Sequence, residues 1–358
     1  MTEAILLVGG QGTRLRPLTI STPKPMLPVA GHPCTSHQIA RAGAAGISHI
    51  VLGTSYKAEV FEDYFAENDL GVQISYAVET QPLGTGGAIR NAAEKLTCGP
   101  DEPVVIFNGD ILTGLDIVGL IQKWREANAD VAIYLTRVDD PRAYGLVPTD
   151  TNGRVLAFTE KPTTPEEIVT DQINAGCYIF RRSVIDRIPA GKVVSVERET
   201  FPELLATDAV VIGVVDDGYW LDLGTPLAFA KGSADLVLGN APTPLVTNTG
   251  AALVESTATV ASSAHLSSGT YVGHNATIGN KAVVTASVIY SDAQIHDDAV
   301  VENSIIGAGT VIGAGTVVRD AVVSENVKVG AGNELINGVR VFPGTSISET
   351  TVRFSSDK

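Results

Sequence analysis

Short apolar segments alternate with segments of helix-forming composition along the first 110 residues of this 358-residue chain. Each apolar run has the length of a buried strand, and these runs lie at 5–8, 49–54, 72–78 and 103–107. The segments of helical composition between them lie at 36–45, 58–66 and 86–96. Alternation of this kind predicts a Rossmann-like α/β domain, with a mixed, mostly parallel sheet that has helices on both faces and binds ligands beyond the carboxyl ends of its strands.

The pattern changes after residue 130, where β-branched and aromatic residues become more frequent. We expect further strands of the same sheet at 131–138, 155–161 and 175–180. A helix is predicted at 226–238, and a stretch rich in Pro, Gly and Asn follows it. The first domain is therefore predicted to cover residues 1–240.

Aliphatic residues then recur six positions apart, with single five-residue steps that give a repeat of 17. The residues of this series are Val254, Val260, Leu266, Val272, Ile278, Val284, Ile289, Ile295, Val301, Ile306, Ile312, Val318, Val323, Val329, Leu335, Val341 and Ile347. The pattern predicts a left-handed parallel β-helix over 241–358, with inward aliphatic residues and with Gly, Ala, Asn and Asp at the corners. Corner positions are expected at Gly307, Gly309, Gly313, Gly315, Gly330 and Gly332. Because the ends and sides of such a helix need cover, we expect this domain to form a homo-oligomer.

Composition narrows the class of protein. The chain is 44% hydrophobic and 18% charged, with a formal charge of −15 and three widely spaced cysteines. The acidic balance argues against nucleic acid as a partner, and the cysteines suggest neither a disulfide framework nor a zinc site. No apolar run reaches the roughly 18 residues of a membrane span, and the N-terminus does not read as a signal peptide. We therefore expect a cytoplasmic protein that does not bind membranes.

The candidate chemistry begins where the first apolar run ends. Gly9, Gly10 and Gly12 follow this run, and the cations Arg14 and Lys24 come next. No Asp or Glu occurs between residues 4 and 58. Glycines let backbone N–H groups approach phosphate oxygens, and Arg and Lys supply positive charge, so an anionic ligand is expected here.

Two common glycine-rich motifs do not fit this loop. A dinucleotide fingerprint requires a third Gly or Ala where Leu15 stands, and an acidic residue about 20 positions later. The phosphate-binding loop of ATPases and GTPases requires a Lys followed by Ser or Thr, and the Gly191-Lys192 pair of this chain is followed by Val193. A nicotinamide cofactor is therefore not expected.

Six blocks in a fixed order extend the signal of this loop. They read GGQGTRLRPLT with PKPM, ETQPLGTGGA, NGD, EKP, INAG and YWLDLGTP. The series resembles the nucleotidyltransferases that make nucleotide sugars from a sugar 1-phosphate and a nucleoside triphosphate, and within them it is most similar to the mannose-1-phosphate guanylyltransferases. The resemblance implies GTP and mannose 1-phosphate as substrates, GDP-mannose and pyrophosphate as products, and Mg²⁺ as cofactor.

The resemblance also implies roles for individual residues. Arg14 and Lys24 would bind the triphosphate, and Lys161 would bind the phosphate of the sugar. Mg²⁺ would be held by Asp110 and Asp222. The predicted nucleotide-binding residues are Gly9, Gly10, Gly12, Thr13, Glu79, Gly84 and Thr85, and the predicted sugar-binding residues are Gly145, Glu160, Asn174 and Glu197.

Structural alternatives remain for several of these residues. Asp110 follows a buried strand, where a carboxylate either binds a divalent metal or caps a turn. Asp222 could instead cap the helix that starts near Pro226, and Glu197 could be an early-turn acid. Taken alone, the tripeptide that contains Glu160 is a charged strand end before a turn.

Functional alternatives also remain. Related enzymes make UDP-glucose or dTDP-glucose, and a carboxylate such as Glu79 favours guanine because guanine offers two adjacent donors. A non-catalytic relative could bind a nucleotide sugar and regulate a partner subunit. Since β-helices of this repeat also occur in acyltransferases that use a His base, His265, His274 and His296 are candidates for acetyl transfer.

Overall fold

A computed structural model describes residues 2–10, 12–55 and 57–353. The chain forms two compact units, one containing residues up to 10 and 38–220, the other containing 11–37 and 221 onward. In the second unit the loop segment around Lys24 and the helix Pro226–Leu238 group with the repeat region. These units are discontinuous in sequence, whereas the predicted domains are two consecutive segments. The domain boundary between residues 240 and 241 therefore stays a prediction.

The first unit is built on a nine-stranded mixed sheet. Its parallel part consists of Pro103–Asn108, Glu3–Leu7, His49–Thr54 and Gln73–Val78, adjacent in that order. Gln172–Arg181 lies antiparallel to the first of these four strands. The sheet is extended beyond it by Gly145–Leu146, Thr159–Glu160, Val131–Arg137 and Val211–Val215. The parallel strands lack alternation because both of their faces are covered, and Ala4, Ile5 and Leu6 are almost fully buried.

The helices lie between the strands as the alternation predicted. Those before residue 210 are Cys34–Ala44, Ala58–Glu67, Gly84–Ala92, Ile117–Glu126, Arg182–Ile185 and Phe201–Leu205. The core of the first unit is one cluster in which strand residues such as Ile5 and Val104 pack with Ile89 of a helix. The cluster includes the rings of Tyr178, Phe180 and Phe201, and Phe158 packs against it, with neighbouring ring centroids 5.0 to 6.3 Å apart. This packing fixes the strand ends from which the candidate site is built.

Two predicted elements differ from the structure. The strand expected at 155–161 is reduced to Thr159–Glu160, with an isolated bridge between Thr149 and Val155. The strand ends there because Lys161 takes a left-handed conformation, φ 51°, before Pro162. The helix expected at 86–96 is Gly84–Ala92 followed by the short 3₁₀ turn Ala93–Lys95. It begins early because two of its first N–H groups donate to the Val194 carbonyl oxygen.

The repeat region forms three parallel sheets, as the six-residue series predicted. The first consists of Ala252–Val254, Thr270–Val272, Val288–Ile289, Ile305–Ile306, Val322–Val323 and Arg340–Val341. The second consists of Thr259–Val260, Thr277–Ile278, Gln294–Ile295, Val311–Ile312, Lys328–Val329 and Ser346–Ile347. The third consists of His265–Ser267, Val283–Thr285, Val300–Glu302, Val317–Arg319 and Glu334–Leu335. Three faces of short parallel strands are the architecture of a β-helix, consistent with the left-handed form that was predicted.

The inward positions of this β-helix form its core. Val272, Val284, Ile289 and Val301 are fully buried, but Val254 is 39% exposed because no coil precedes the first one. Middle coils repeat every 17 residues, as the pairing of residues 288 and 305 shows, whereas the first pairing joins residues 252 and 270, 18 apart. At the predicted corner Gly307, an added Cβ would lie 2.4 Å from the Ser324 backbone of the next coil.

The remaining short strands are Pro28–Val29, His32–Pro33, Ile111–Thr113 and Trp220–Asp222. Across the part of the chain that the structure describes, no helix combines the length and apolar character needed to cross a bilayer.

Candidate active site

The glycine-rich loop begins at the end of strand Glu3–Leu7, in the first unit. The N–H of Val8 donates to the Gly53 carbonyl at 3.0 Å, which continues the sheet pairing for one residue. An added Cβ at Gly9 would lie 2.9 Å from Ser55 Oγ, and Gly10 has φ 135°. A side chain at position 9 would force Ser55 to move, and Gly10 has a backbone conformation that other residues rarely adopt.

In the second unit, the loop folds back against Lys24. Gly12 is left-handed, φ 56°, and precedes the 3₁₀ turn Thr13–Leu15. Its carbonyl accepts a hydrogen bond from Thr19 Oγ1 at 2.9 Å. An added Cβ at Gly12 would lie 2.7 Å from the Cβ of Lys24, so only glycine lets the turn approach this lysine so closely.

Two cations and a carboxylate converge at Gly224 in the second unit. The Nζ of Lys24, a residue only 9% exposed, lies 3.6 Å from Asp222 Oδ1. A Cβ built on Gly224 would be 2.8 Å from Arg14 Nη2 and 2.9 Å from Asp222 Oδ1. The structure therefore brings together Arg14, Lys24 and Asp222, three of the predicted catalytic residues.

The alternative role of Asp222 as a helix cap is not needed. Helix Pro226–Leu238 is capped by Thr225, whose hydroxyl accepts from the N–H of Ala228 at 3.2 Å. The Asp222 carboxylate instead faces Lys24, and its Oδ1 is buried. A buried carboxylate oxygen is the kind of donor that Mg²⁺ binds in proteins.

Asp110 lies in the first unit, in a turn held by backbone contacts. The N–H of Gly109 donates to the Leu7 carbonyl at 2.8 Å, and the amide of Gln38 donates to the carbonyls of Asn108 and Ile111, both at 2.8 Å. One glutamine thus fixes the backbone on both sides of Asp110. Sequence reasoning missed Gln38, which lies in a helix about 70 residues away along the chain.

Asp110 and Asp222 each carry the kind of ligand that Mg²⁺ takes in proteins. Among the residues that the structure describes, no group of three or more His, Cys, Asp or Glu is arranged to hold a metal. Mg²⁺ commonly takes one or two carboxylates and completes its coordination with phosphate oxygens and water. Asp110 belongs to the first unit and Asp222 to the second, so their joint coordination of one ion stays a prediction.

Thr85 and Ser195 hold the carboxylate of Glu197. Thr85 Oγ1 donates to Glu197 Oε2 at 2.7 Å, and Ser195 Oγ donates to the same oxygen at 2.9 Å. The Thr85 hydroxyl also accepts from the N–H of Val196 at 2.9 Å. Glu197 does lie in the first turn of a short helical segment, Val196–Thr200, but these two hydroxyls fix its carboxylate in one orientation.

Glu160 and Lys161 lie close together at the end of strand Thr159–Glu160. Lys161 Nζ lies 3.6 Å from Glu160 Oε1, and the Lys161 N–H donates to the Tyr144 carbonyl at 3.1 Å. An added Cβ at Gly145 would be 2.8 Å from Glu160 Oε2, so glycine makes room for the carboxylate. Burial, with a smaller contribution from the nearby charge of Glu197, raises the pKa of Glu160.

A bulge in strand Gln172–Arg181 sets the position of Asn174. The strand register shifts between Asn174 and Tyr178, and Gly176 within the bulge has φ 74°. Asn174 Nδ2 donates to Tyr178 Oη at 2.7 Å, while its Oδ1 accepts from the Gly176 N–H at 3.0 Å. Burial, together with the nearby Glu197, raises the pKa of Tyr178 well above its usual range.

The predicted sugar-binding residues therefore lie in one cluster of the first unit. Hydrogen bonds and electrostatic interactions link Glu160, Glu197 and Asn174 through Tyr178. Sequence reasoning missed Tyr178 because it occupies an apolar strand. The signal that could have found it is the glycine at 176, since a glycine inside a strand often marks a bulge.

The predicted base-binding residues have contacts of their own. Glu79 Oε2 accepts from the Leu83 N–H at 3.2 Å, and burial raises the pKa of this carboxyl. Gly84 has φ 70°, and an added Cβ would lie 2.6 Å from the Val194 carbonyl. The glycines that follow Leu83 therefore let the 192–196 backbone pack closely against this helix start. The roles predicted for Glu79, Gly84 and Thr85 in nucleotide binding stay predictions.

Comparison with models of known protein families identifies the family of this chain. A family model described as "Nucleotidyl transferase" matches residues 3–237, which is most of the chain. The chain belongs to the nucleotidyl transferase family. A second model, described as "GMPPB C-terminal domain", matches residues 248–355 of this nucleotidyl transferase. The resemblance that the six sequence blocks indicated is thus confirmed.

Curated relatives and solved structures agree. This nucleotidyl transferase is 55% identical to the "Mannose-1-phosphate guanylyltransferase" of Mycobacterium tuberculosis over 259 residues, 72% of this chain and 70% of the relative. It is 36% identical to "Mannose-1-phosphate guanylyltransferase 1" of Arabidopsis thaliana over 266 residues, 72% of each chain. The match to the Drosophila melanogaster "Mannose-1-phosphate guanylyltransferase catalytic subunit beta" covers less, 64% of this chain and 62% of the relative, with 39% identity.

Among solved structures, HddC from Yersinia pseudotuberculosis is similar with a TM-score of 0.57 and 29% identity, covering 65% of this chain and 98% of that one. The same protein complexed with GMP-PN gives a TM-score of 0.55, with the same identity and coverage. These similarities support the Rossmann-like fold of the first domain.

Proposed function

We propose that this nucleotidyl transferase makes GDP-mannose and pyrophosphate from GTP and mannose 1-phosphate. The observation that carries the proposal is the convergence of Arg14, Lys24 and Asp222 at Gly224. Two cations beside a carboxylate suit a nucleoside triphosphate with its metal ion. The identity of 55% to a mannose-1-phosphate guanylyltransferase supports the choice of substrates.

The reaction is an in-line displacement. A phosphate oxygen of the sugar 1-phosphate attacks the α-phosphorus of the triphosphate, and the bond from that phosphorus to the bridging oxygen breaks, which releases pyrophosphate. No general base is required, because a phosphate monoester with a second pKa of about 6 is mostly a dianion at neutral pH. The protein must therefore align two anions and offset their repulsion.

Separate groups of the chain meet these needs in our proposal. Arg14 and Lys24 bind the triphosphate and the pyrophosphate as it forms, and Lys161 binds the phosphate of the nucleophile. Asp110 and Asp222 would hold Mg²⁺. When bound, the ion supplies positive charge that polarises the phosphoryl oxygens.

Binding of the two substrates follows from the remaining predicted residues. The loop of Gly9, Gly10, Gly12 and Thr13 presents backbone to the nucleotide. The sugar hydroxyls are bound by Glu160, Asn174 and Glu197 and by the backbone at Gly145, since hydroxyls need acceptors and amides in fixed positions. The hydroxyls of Thr85 and Ser195 support this cluster because they orient Glu197.

Glu79 selects the base in this proposal. One carboxylate can accept from both N1–H and the exocyclic amine of guanine, an arrangement that pyrimidines do not offer. We expect Glu79→Gln to lower the preference for GTP over UTP and dTTP, as measured by the ratio of kcat/KM values. An unchanged ratio would refute this role for Glu79.

The proposal is tested by measuring pyrophosphate release with Mg²⁺, each of five nucleoside triphosphates and either mannose or glucose 1-phosphate. Turnover with GTP and mannose 1-phosphate above all other pairs is expected. Preference for UTP or dTTP with glucose 1-phosphate would support a UDP- or dTDP-glucose enzyme instead. Absence of turnover in every mixture would support a non-catalytic protein that binds a nucleotide sugar and regulates a partner subunit.

Two further expectations belong to this proposal. Homo-oligomers formed through the β-helix should appear in sedimentation velocity as a species larger than the 37.4 kDa chain. A cytoplasmic location, with no membrane or nucleic-acid partner, is expected from composition. Acetyl transfer by His265, His274 or His296 stays an alternative, although His274 is engaged with Glu255 at 3.5 Å and Thr257 at 3.2 Å.

A further inference from the structure

Arg340 of the β-helix contacts the backbone of the glycine-rich loop. It lies on the strand Arg340–Val341, and its Nη1 donates to the carbonyl oxygens of Arg14 and Arg16, both at 2.8 Å. More than 320 residues separate these partners along the chain. All of them belong to the second unit.

The two carbonyls lie at the end of a turn that has few bonds of its own. Within it the Leu15 N–H donates to the Gly12 carbonyl at 3.0 Å, and the Arg16 N–H donates to the Thr13 carbonyl at 3.2 Å. Carbonyls at the end of a helical turn have no partner inside the turn, and a cationic side chain can satisfy them. Arg340 does this for the turn that carries Arg14.

The same segment is held again beyond Lys24. Tyr290 Oη of the β-helix donates to the Pro28 carbonyl at 3.0 Å, and the Ala30 N–H donates to Ser233 Oγ in helix Pro226–Leu238 at 3.0 Å. Tyr290 lies in the β-helix, where desolvation of its phenol raises its pKa above the usual range. Contacts on both sides therefore fix the stretch that contains the two candidate phosphate-binding cations.

Other arginines of the β-helix do not reach the loop in this way. Arg319 pairs with Glu302 at 2.5 Å, and Arg353 pairs with Glu334 at 3.2 Å. Both pairs join neighbouring coils of the β-helix itself. Arg319 is thus a control, since it is also an exposed β-helix arginine, but its partner Glu302 lies within the β-helix.

We propose that the β-helix is part of the apparatus that positions the phosphate-binding loop, with Arg340 as a positioning residue for Arg14. The contact itself is independent of function, but its effect on turnover rests on the function proposed above. Arg340 acts on the loop backbone, so its removal should loosen the turn that carries Arg14 while the β-helix stays folded. The role of this domain then extends beyond assembly.

Amide hydrogen exchange tests the contact without substrate. We expect Arg340→Ala to speed exchange at the N–H groups of Leu15 and Arg16, while peptides from the β-helix keep the wild-type rate. Arg340→Lys should restore slow exchange in large part, because an ammonium group can also donate to two carbonyls. Unchanged exchange in Arg340→Ala, or the same acceleration in Arg319→Ala, would overturn the proposal.

Steady-state kinetics tests the consequence. We expect Arg340→Ala to lower kcat/KM for the nucleoside triphosphate about tenfold, with a raised KM for the triphosphate and an unchanged KM for the sugar 1-phosphate, the size expected for losing a charge-assisted hydrogen bond. A merely structural role would lower the active fraction and leave both KM values unchanged, which would overturn the proposal. A wild-type protein inactive with every triphosphate would refute the proposed function, while the exchange result would still decide whether Arg340 positions the loop.

Discussion

Replacing Gly224 by alanine should displace the side chains of Arg14 and Asp222 without disturbing the fold. An added Cβ would lie 2.8 Å from Arg14 Nη2 and 2.9 Å from Asp222 Oδ1. Ordinary contact between heavy atoms begins at about 3.5 Å, so each group would have to shift by roughly 0.6 to 0.7 Å. Both atoms are the far ends of side chains, which can rotate away, and Gly224 is not among the residues with positive φ.

The magnitude follows from this displacement. A misplacement of about 1 Å can cost about 100-fold in rate, so we expect Gly224→Ala to lower kcat/KM by about 10- to 100-fold, or about 1.4 to 2.7 kcal/mol. Stability should change little, because replacing a glycine in an allowed conformation stabilises by about 0.4 to 1 kcal/mol through the unfolded state and offsets the local crowding.

Gly250→Ala is the matched control. Gly250 lies in the same unit, is not among the positive-φ residues, and an added Cβ there would have no heavy atom within 4 Å. The assay is pyrophosphate release from GTP and mannose 1-phosphate, with the melting temperature of each variant measured alongside. Gly224→Ala activity within twofold of wild type would show that the convergence at Gly224 is not used in the reaction.

Three further outcomes are expected. Burial alone would raise the pKa of Glu3, but hydrogen bonds from His49 and from backbone N–H groups lower it to about 2, so the carboxylate should add about 3 kcal/mol to the free energy of unfolding above pH 4.5 and lose this contribution as the pH falls toward 2. Urea unfolding should show that Glu3→Gln is less stable than wild type by an amount that shrinks over that pH range. A difference in stability that does not depend on pH would contradict this. Since the pKa of Glu160 is raised, mild acidification should raise KM for mannose 1-phosphate more in wild type than in Glu160→Gln, in which only the phosphate of the substrate, with its second pKa of about 6, still titrates. An equal rise in both proteins would exclude a contribution from Glu160. Thr85→Val should raise KM for mannose 1-phosphate about fivefold by releasing Glu197, as initial rates would show, and an unchanged KM would argue against this support.

The periodic parts of the fold were predictable from the sequence. Strand His49–Thr54 and helix Pro226–Leu238 have the predicted bounds, because a continuous apolar run and a capped apolar segment are local signals. The β-helix was predictable for the same reason, since each coil repeats the same inward positions. The predicted strand at 155–161 was wrong in length, because Val155 forms only an isolated bridge and the left-handed residue Lys161 ends the strand after Glu160. Neither feature is visible in composition.

The sequence blocks named candidate site residues, but the contacts of these residues were not predictable. The sequence blocks named Thr85 and Glu197 separately, whereas the structure joins them by a hydrogen bond across 112 positions. The contact of Arg340 with the glycine-rich loop was not predictable from the sequence, because its partners are backbone carbonyls, which every residue has. Tyr178 was hidden in an apolar strand whose bulge depends on one glycine. Contacts between side chains that are distant in sequence form only when the chain folds, so local residue patterns do not predict them.

The central claim is that Asp110 and Asp222 serve one magnesium-dependent guanylyl transfer. The most direct measurement is the rate of pyrophosphate release from GTP and mannose 1-phosphate as a function of Mg²⁺ concentration, for wild type, Asp110→Asn and Asp222→Asn. We predict that each substitution lowers the maximal rate by about 100-fold or more and raises the Mg²⁺ concentration that gives half of it. A variant that keeps both the wild-type rate and the wild-type dependence on Mg²⁺ would contradict the claim.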